Sequence, residues 1–166
     1  MTSRISVLVP TFNRAALLEQ CLASLLAQTV APHQVIVIDD GSTDDTPSRV
    51  ARFGPAVTYL RKPNGGKASA LNFGMSHVSG DFVWVFDDDD VALPTANELR
   101  LRALFARPDA GFVVSNHLWG RSRANGPIEP VRANHLPAVD EASFLLTLMQ
   151  GCFVHHNSAL VRTQCY

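Results

Sequence analysis

A mostly parallel, twisted α/β sheet with helices on both faces is the fold this sequence predicts, on three observations. Short β-branched and aromatic runs alternate with segments of helical period from residue 5 to about residue 116. Two of those runs, Gln34–Ile38 and Phe82–Phe86, stop directly at acidic clusters, Asp39-Asp40 and Asp87-Asp88-Asp89-Asp90, and ligands of open α/β sheets bind at the carboxyl ends of strands. With 166 residues, 46% of them hydrophobic, the chain is long enough for one core and too short for two.

The elements follow in order. Ile5–Pro10 predicts a strand, and Asn13 then caps a helix whose apolar positions Leu17, Leu18, Cys21, Leu22, Leu25 and Leu26 recur at helical spacing. Gln34–Ile38 is the second strand. Asp44-Asp45-Thr46-Pro47 gives a cap and a first-turn proline, opening a short helix to about Phe53. Val57–Arg61 is the third strand. A loop over Lys62–Lys67 with Pro63 and Gly65-Gly66 leads into a helix marked by Ala68, Leu71, Met75 and Val78. Gly80-Asp81 turns into the Phe82–Phe86 strand. Thr95 and Glu98 have the spacing of a capping box for a helix to about Arg107, and Gly111–Asn116 reads as a fifth strand.

Beyond Trp119 the pattern thins. Arg121–Pro137 carries Gly126, Pro127, Pro130 and Pro137 and reads as an extended loop before a helix near Asp140–Met149, and Phe153–Arg162 has strand character. The chain accordingly divides into residues 1–120, an α/β domain, and residues 121–166, the start of a second region that is incomplete.

Composition excludes several classes. A formal net charge of -1, with fourteen scattered Lys and Arg residues, gives no nucleic-acid surface. No apolar stretch approaches the roughly 18 residues of a membrane-spanning helix. The amino terminus enters a strand after Arg4, so no signal peptide is expected. Cys21, Cys152 and Cys165 are an odd number at unrelated spacings and read as structural thiols of a reduced, cytoplasmic setting.

Four carboxylates crowded at a strand end repel one another, which calls for a cation or a hydrogen-bonding ligand to offset the cost. An acidic run is otherwise a solvated loop, but two such clusters behind two parallel strands favour a metal and phosphate site.

The residues around those strand ends resemble the GT-A-fold, family 2 glycosyltransferases, which move a sugar from a nucleotide diphosphate sugar to an acceptor. The motifs are Val7-Leu8-Val9-Pro10-Thr11-Phe12-Asn13-Arg14, Leu26-Ala27-Gln28-Thr29, Asp39-Asp40-Gly41-Ser42-Thr43-Asp44, Asn64-Gly65-Gly66-Lys67 with Ala70-Leu71-Asn72-Phe73-Gly74, and an Asp-x-Asp on Asp87 and Asp89. They occur in order from about Ile5 to Asn116. The resemblance implies a Rossmann-like GT-A fold, with residues 1–120 as the donor-binding domain and 121–166 as the start of the acceptor side. It implies Mn or Mg on carboxylate oxygens, stabilising the charge that gathers on the leaving diphosphate. Asp89 is then the main metal ligand, with Asp87 or Asp88 reaching the metal or the ribose. Asp40 accepts from the base beside Pro10 and Thr11, while Asp39 fixes the turn. Asn13, Asn64, Gly66 and Lys67 complete the nucleotide-sugar contacts.

Lys67 is a diphosphate ligand or an exposed loop lysine, and Asn72 touches the nucleotide or satisfies backbone groups. UDP-sugar is the commonest donor of the family. The acceptor is a saccharide, lipid or protein, with peripheral membrane contact left open. Ala159-Leu160-Val161-Arg162 resembles the lead-in to the acceptor half, but the Gly-Gly-Phe-Asp and Glu-Asp elements expected next are absent, so the general base of an inverting transfer is expected beyond residue 166. Asp140 and Glu141 read as a helix start.

His155-His156 would face opposite ways on a strand and cannot share a metal. His33, His77, His117 and His135 read as structural, and Trp84 and Trp119 as core or rim aromatics. Two rival readings stand beside the transferase. Asp87-x-Asp89-x-Val91 behind a strand also fits the opening of haloacid-dehalogenase-type phosphatases, but several other elements precede it here and the later Lys and acidic pair are missing. A nucleotide-sugar binding module without turnover is the other.

Overall fold

The computed structural model describes residues 3–121, 129–133 and 158–166. Six strands form the main sheet: β1 (Ile5–Thr11), β2 (Gln34–Asp39), β3 (Thr58–Arg61), β4 (Phe82–Val85), β5 (Phe112–Val114) and, from the end of the chain, β8 (Ala159–Arg162). Two more, β6 (Leu118–Arg121) and β7 (Glu129–Ala133), make a separate antiparallel ribbon. The helices are α1 (Ala15–Leu26), α2 (Thr46–Ala51), α3 (Lys67–Met75) and α4 (Ala96–Ala106).

Every residue of β1 is buried, as both faces of a central parallel strand must be. Its alternating side chains feed two cores. Ile5, Val7 and Val9 pack with Leu18, Cys21, Leu22 and Leu25 of α1 and Leu101 and Leu104 of α4, while Leu8 on the other face joins Ile36, Ile38 and Ala70 beneath α3. Helices therefore cover both faces, as the sequence predicts. On the α3 side the approach is tight: a Cβ on Gly74 would stand 2.8 Å from Ile38 Cδ1 and 3.3 Å from Leu8 Cδ2. Glycine at that position lets α3 lie on the sheet and sets where its first residue, Lys67, projects.

The strand order is β3-β2-β1-β4-β8-β5. The β1–β2, β1–β4 and β2–β3 pairs are parallel, but β8 runs antiparallel between β4 and β5. The fifth strand of the sequence reading is therefore shorter than Gly111–Asn116 and does not pair with β4. Arg162 locks β8 in place by donating from Nε to the Ala110 carbonyl at 2.8 Å and from Nη2 to the Leu104 carbonyl at 3.1 Å. Nothing local in a three-residue strand announces such a partner.

Three local expectations are corrected. Thr95 and Glu98 form no capping box; Glu98 accepts from the Thr29 hydroxyl at 2.9 Å, and the Asn97 amide donates to Gln28 Oε1 at 3.1 Å. The Gln28-Thr29 pair thus ties the end of α1 to the start of α4, and this tertiary tie replaces the local cap. Asn13 does not cap α1 either. Asp44 does so from a distance, accepting the Ala15 amide at 3.1 Å. Leu17 and Ala68, expected on apolar faces, are exposed. The expected helix at Asp140–Met149, with Asp140 and Glu141, and the residues His135, Cys152, His155 and His156 lie outside the described residues.

Candidate nucleotide and metal site

The carboxyl ends of β1, β2 and β4 meet the loop before α3 around a cavity of about 480 Å³. Pro10, Thr11, Asp40, Asn64, Gly66, Lys67, Asp87, Asp88 and Asp89 all line it, as do Phe12 and Arg14. Residues from four separate sequence motifs are thereby brought to one wall. Asn13 is not among them. Its backbone is left-handed, with φ 54°, its amide donates to Ser42 Oγ at 2.9 Å and its side-chain oxygen accepts the Thr43 amide at 2.7 Å. Asn13 stitches the end of β1 to the turn after β2.

The first acidic pair divides its work by the alternation of the strand. Asp39 is fully buried, accepting the Ser42 amide at 2.7 Å and the Tyr59 hydroxyl, so it fixes the turn as the sequence predicts. Burial first, and then this bond to Asp39, push the Tyr59 hydroxyl far above its ordinary range. Asp40 faces the other way. It accepts Lys62 Nζ at 2.7 Å, the Gly65 amide at 3.0 Å and the Gly66 amide at 2.6 Å. Burial pulls its carboxyl up, but the Lys62 and glycine donors outweigh that and hold it below the usual carboxylate value. Gly66 adopts φ 85°, a left-handed backbone that suits glycine, as it turns the chain into α3. A base bound at Asp40 therefore has to share a carboxylate that already organises the 62–66 loop.

The second cluster is less uniform than its sequence suggests. Asp88 is buried, accepting the Thr11 hydroxyl at 2.7 Å and Arg14 Nη1 at 3.2 Å. Desolvation exceeds the help from those two donors and raises its carboxyl above the ordinary value. Asp89 is half exposed and pairs with Arg14 Nη1 at 2.8 Å, and Asp87 accepts Lys67 Nζ. The charges of Asp88 and then Asp89 push the Arg14 guanidinium up.

Asp87, Asp89 and Asp90 can each offer an oxygen within 4.8 Å of the others. An all-oxygen set of this kind fits a hard divalent cation such as Mg or Mn. Asp88 is not a member of that trio; it lines the cavity while held by Thr11 and Arg14.

Three members of this arrangement escape a motif reading. Asp90 is visible in the sequence only as the fourth acid of the run, Arg14 only as the last letter of the first motif, and Lys62 only as a loop cation. Beside this cavity a second one of about 480 Å³ is lined by Gly41, Arg61, Lys62, Pro63 and Asn64. Asn72 is exposed on α3 and lines neither cavity. Trp84 is core, with the Arg100 guanidinium 4.1 Å from its ring centroid, and Trp119 is an exposed aromatic on the ribbon. Cys21 is buried and Cys165 exposed, both as free thiols. Among the described residues no helix is long and apolar enough to cross a membrane.

Comparison with known proteins gives a consistent result. The model of the family described as glycosyl transferase family 2 matches residues 6–156. A GalNAc(5)-diNAcBac-PP-undecaprenol beta-1,3-glucosyltransferase from Campylobacter jejuni is 36% identical over 126 residues, covering 70% of this chain and 37% of the relative. The mannosyltransferase PcManGT from Pyrobaculum calidifontis, solved with GDP-Man and Mn2+, superposes with a TM-score of 0.62 at 33% identity over 69% of this chain and 35% of that one. Glucosyl-3-phosphoglycerate synthase from Mycobacterium tuberculosis, solved with Mn2+, UDP and phosphoglyceric acid, gives 0.57 at 27% identity over 66% of this chain and 42% of that one. The chain spans 31% and 14% of the length of the first curated relatives it matches.

Proposed function

The chain belongs to glycosyl transferase family 2, and on that premise we propose that it transfers a sugar, with inversion, from a nucleotide diphosphate sugar held in the cleft at the ends of β1, β2 and β4. The observation that carries this reading is the convergence of the Pro10-Thr11, Asp40, Asn64–Lys67 and Asp87–Asp89 motifs on one cavity wall. Residues 1–120 form the donor domain in this reading, and 121–166 begin the acceptor side.

Asp89 and Asp87 would hold a Mn or Mg ion, joined by Asp90, with Asp88 anchored beside them on the Thr11 hydroxyl. Bound there, the cation supplies Lewis-acid stabilisation of the negative charge on the leaving diphosphate. Lys67, at the first turn of α3, brings a second positive charge to the same phosphates. Asp40 presents the 62–66 loop, with Asn64 and Gly66, to the base and ribose, while Pro10 and Thr11 form the floor. Asn13 acts one step back, by fixing the turn after β2.

The donor is a UDP-sugar, supported by the UDP complex of the mycobacterial synthase. GDP-Man in the Pyrobaculum enzyme makes a guanosine donor the alternative to test. The acceptor is a saccharide, lipid or protein, and the setting is cytoplasmic with peripheral membrane contact left open.

Calorimetric titration with UDP, GDP and TDP in the presence of Mn2+ tests the donor assignment. Preferential UDP binding supports it, GDP preference moves the donor to a guanosine sugar, and no binding of any nucleotide by folded protein refutes it. Binding of the intact donor without nucleotide release by this chain or a longer one would favour a binding module over a transferase.

A further inference from the structure

Arg14 stands where β1 gives way to α1, and its carbonyl accepts the Leu17 and Leu18 amides at 3.1 and 3.0 Å, so the first turn of the helix fixes its backbone. From that fixed root one nitrogen, Nη1, reaches two carboxylates, Asp88 at 3.2 Å and Asp89 at 2.8 Å. Asp89 is also a member of the oxygen trio suited to a divalent cation. A cation approaching Asp89 therefore meets a carboxylate that already carries a positive partner. The Arg14 side chain is half exposed and lines the same cavity as Lys67 and Gly66, so it has both room and direction to turn toward an anion bound there.

Resting on the reading of this cleft as a metal and nucleotide site, we infer that Arg14 is a built-in competitor for the cation, one that yields Asp89 when metal and nucleotide enter together and passes its guanidinium to the diphosphate. Arg14 thereby adds its own contribution to the coupling of the two ligands. Metal alone has to displace Arg14 with no compensation. Metal with a nucleoside diphosphate displaces it onto two phosphates, where a guanidinium makes paired, charge-assisted hydrogen bonds. Arg14 in this sense sets the order and cooperativity of loading.

The test is a Mn2+ titration followed by electron paramagnetic resonance on the wild-type chain, Arg14→Gln and Arg14→Met, with and without UDP. Thermal melting establishes that the variants are folded, and the second neutral replacement carries the test if the first is not. Without nucleotide, the variants should bind Mn2+ about twofold to fivefold tighter, the scale of a partly exposed ion pair. The factor by which UDP tightens Mn2+ binding should fall at least about tenfold from the wild-type value, because the diphosphate no longer gains the displaced guanidinium. Equal Mn2+ affinity in the three proteins without UDP, or an unchanged coupling factor, overturns the inference while leaving the donor cleft standing. Failure of all three to bind Mn2+ or UDP overturns the donor cleft and the inference with it.

Discussion

Replacing Asp40 with Asn should destabilise the fold measurably, because this carboxylate holds the 62–66 loop whether or not a nucleotide is bound. Its side chain is 6% exposed and that of its partner Lys62 16% exposed. Removing one member of a buried pair costs about 3–5 kcal/mol, mostly as the penalty of the charge left behind. Here the pair borders an open cavity and Asn retains one acceptor, so about 2–3 kcal/mol is expected. With urea m-values of about 1–3 kcal/mol/M, the unfolding midpoint should fall by roughly 1–2 M at pH 7.

The difference should also depend on pH in a definite sense. The folded carboxyl lies below the ordinary value of 3.8, so between those two values the unfolded chain binds the extra proton and stability rises with pH. The contribution is full above pH 3.8 and disappears as pH falls through the lowered folded value. Wild type and Asp40→Asn should therefore converge in acid. A midpoint within about 0.3 M of wild type at pH 7, near the extrapolation error of such curves, would refute the structural role of Asp40.

Two further perturbations probe the scaffold. Gly74→Ala places a methyl 2.8 Å from Ile38 Cδ1, and overpacking of this kind should cost about 1–3 kcal/mol by urea unfolding and, by lifting α3, weaken UDP binding. Arg100 is buried over Trp84, with desolvation lowering its guanidinium to about 10, and no carboxylate pairs with it among the described residues. Arg100→Met, which substitutes an apolar chain of comparable reach for a desolvated cation, should leave the melting temperature unchanged or raise it; a large drop would show that the cation is needed.

The parts of this molecule legible in the sequence are those fixed by local periodicity and by short motifs. The β1, β2 and β4 runs and the α1 face from Leu18 to Leu25 carry enough apolar repetition to place themselves, and the acidic clusters mark the strand ends. What was not legible depends on contacts between distant residues. The antiparallel insertion of β8 is held by Arg162 meeting one carbonyl of α4 and one of the turn before β5, and no local pattern encodes that meeting. Thr95 and Glu98 have the spacing of a capping box at the start of α4, yet from across the fold Thr29 engages the Glu98 carboxylate and Gln28 the Asn97 amide. The second acidic cluster read as four similar acids. Burial and the Thr11 hydroxyl separate Asp88 from its neighbours.

In the proposed function Asp89 and its neighbours hold a cation that a nucleoside diphosphate shares. The most direct measurement is UDP binding by calorimetry with and without Mn2+ on wild type and Asp89→Ala. Mn2+ should tighten UDP binding to the wild-type chain, by a factor of 10 or more if the two ligands share oxygens, and should have no effect on Asp89→Ala. UDP affinity that ignores Mn2+ in the wild type, or a Mn2+ effect that survives in folded Asp89→Ala, would contradict the assignment.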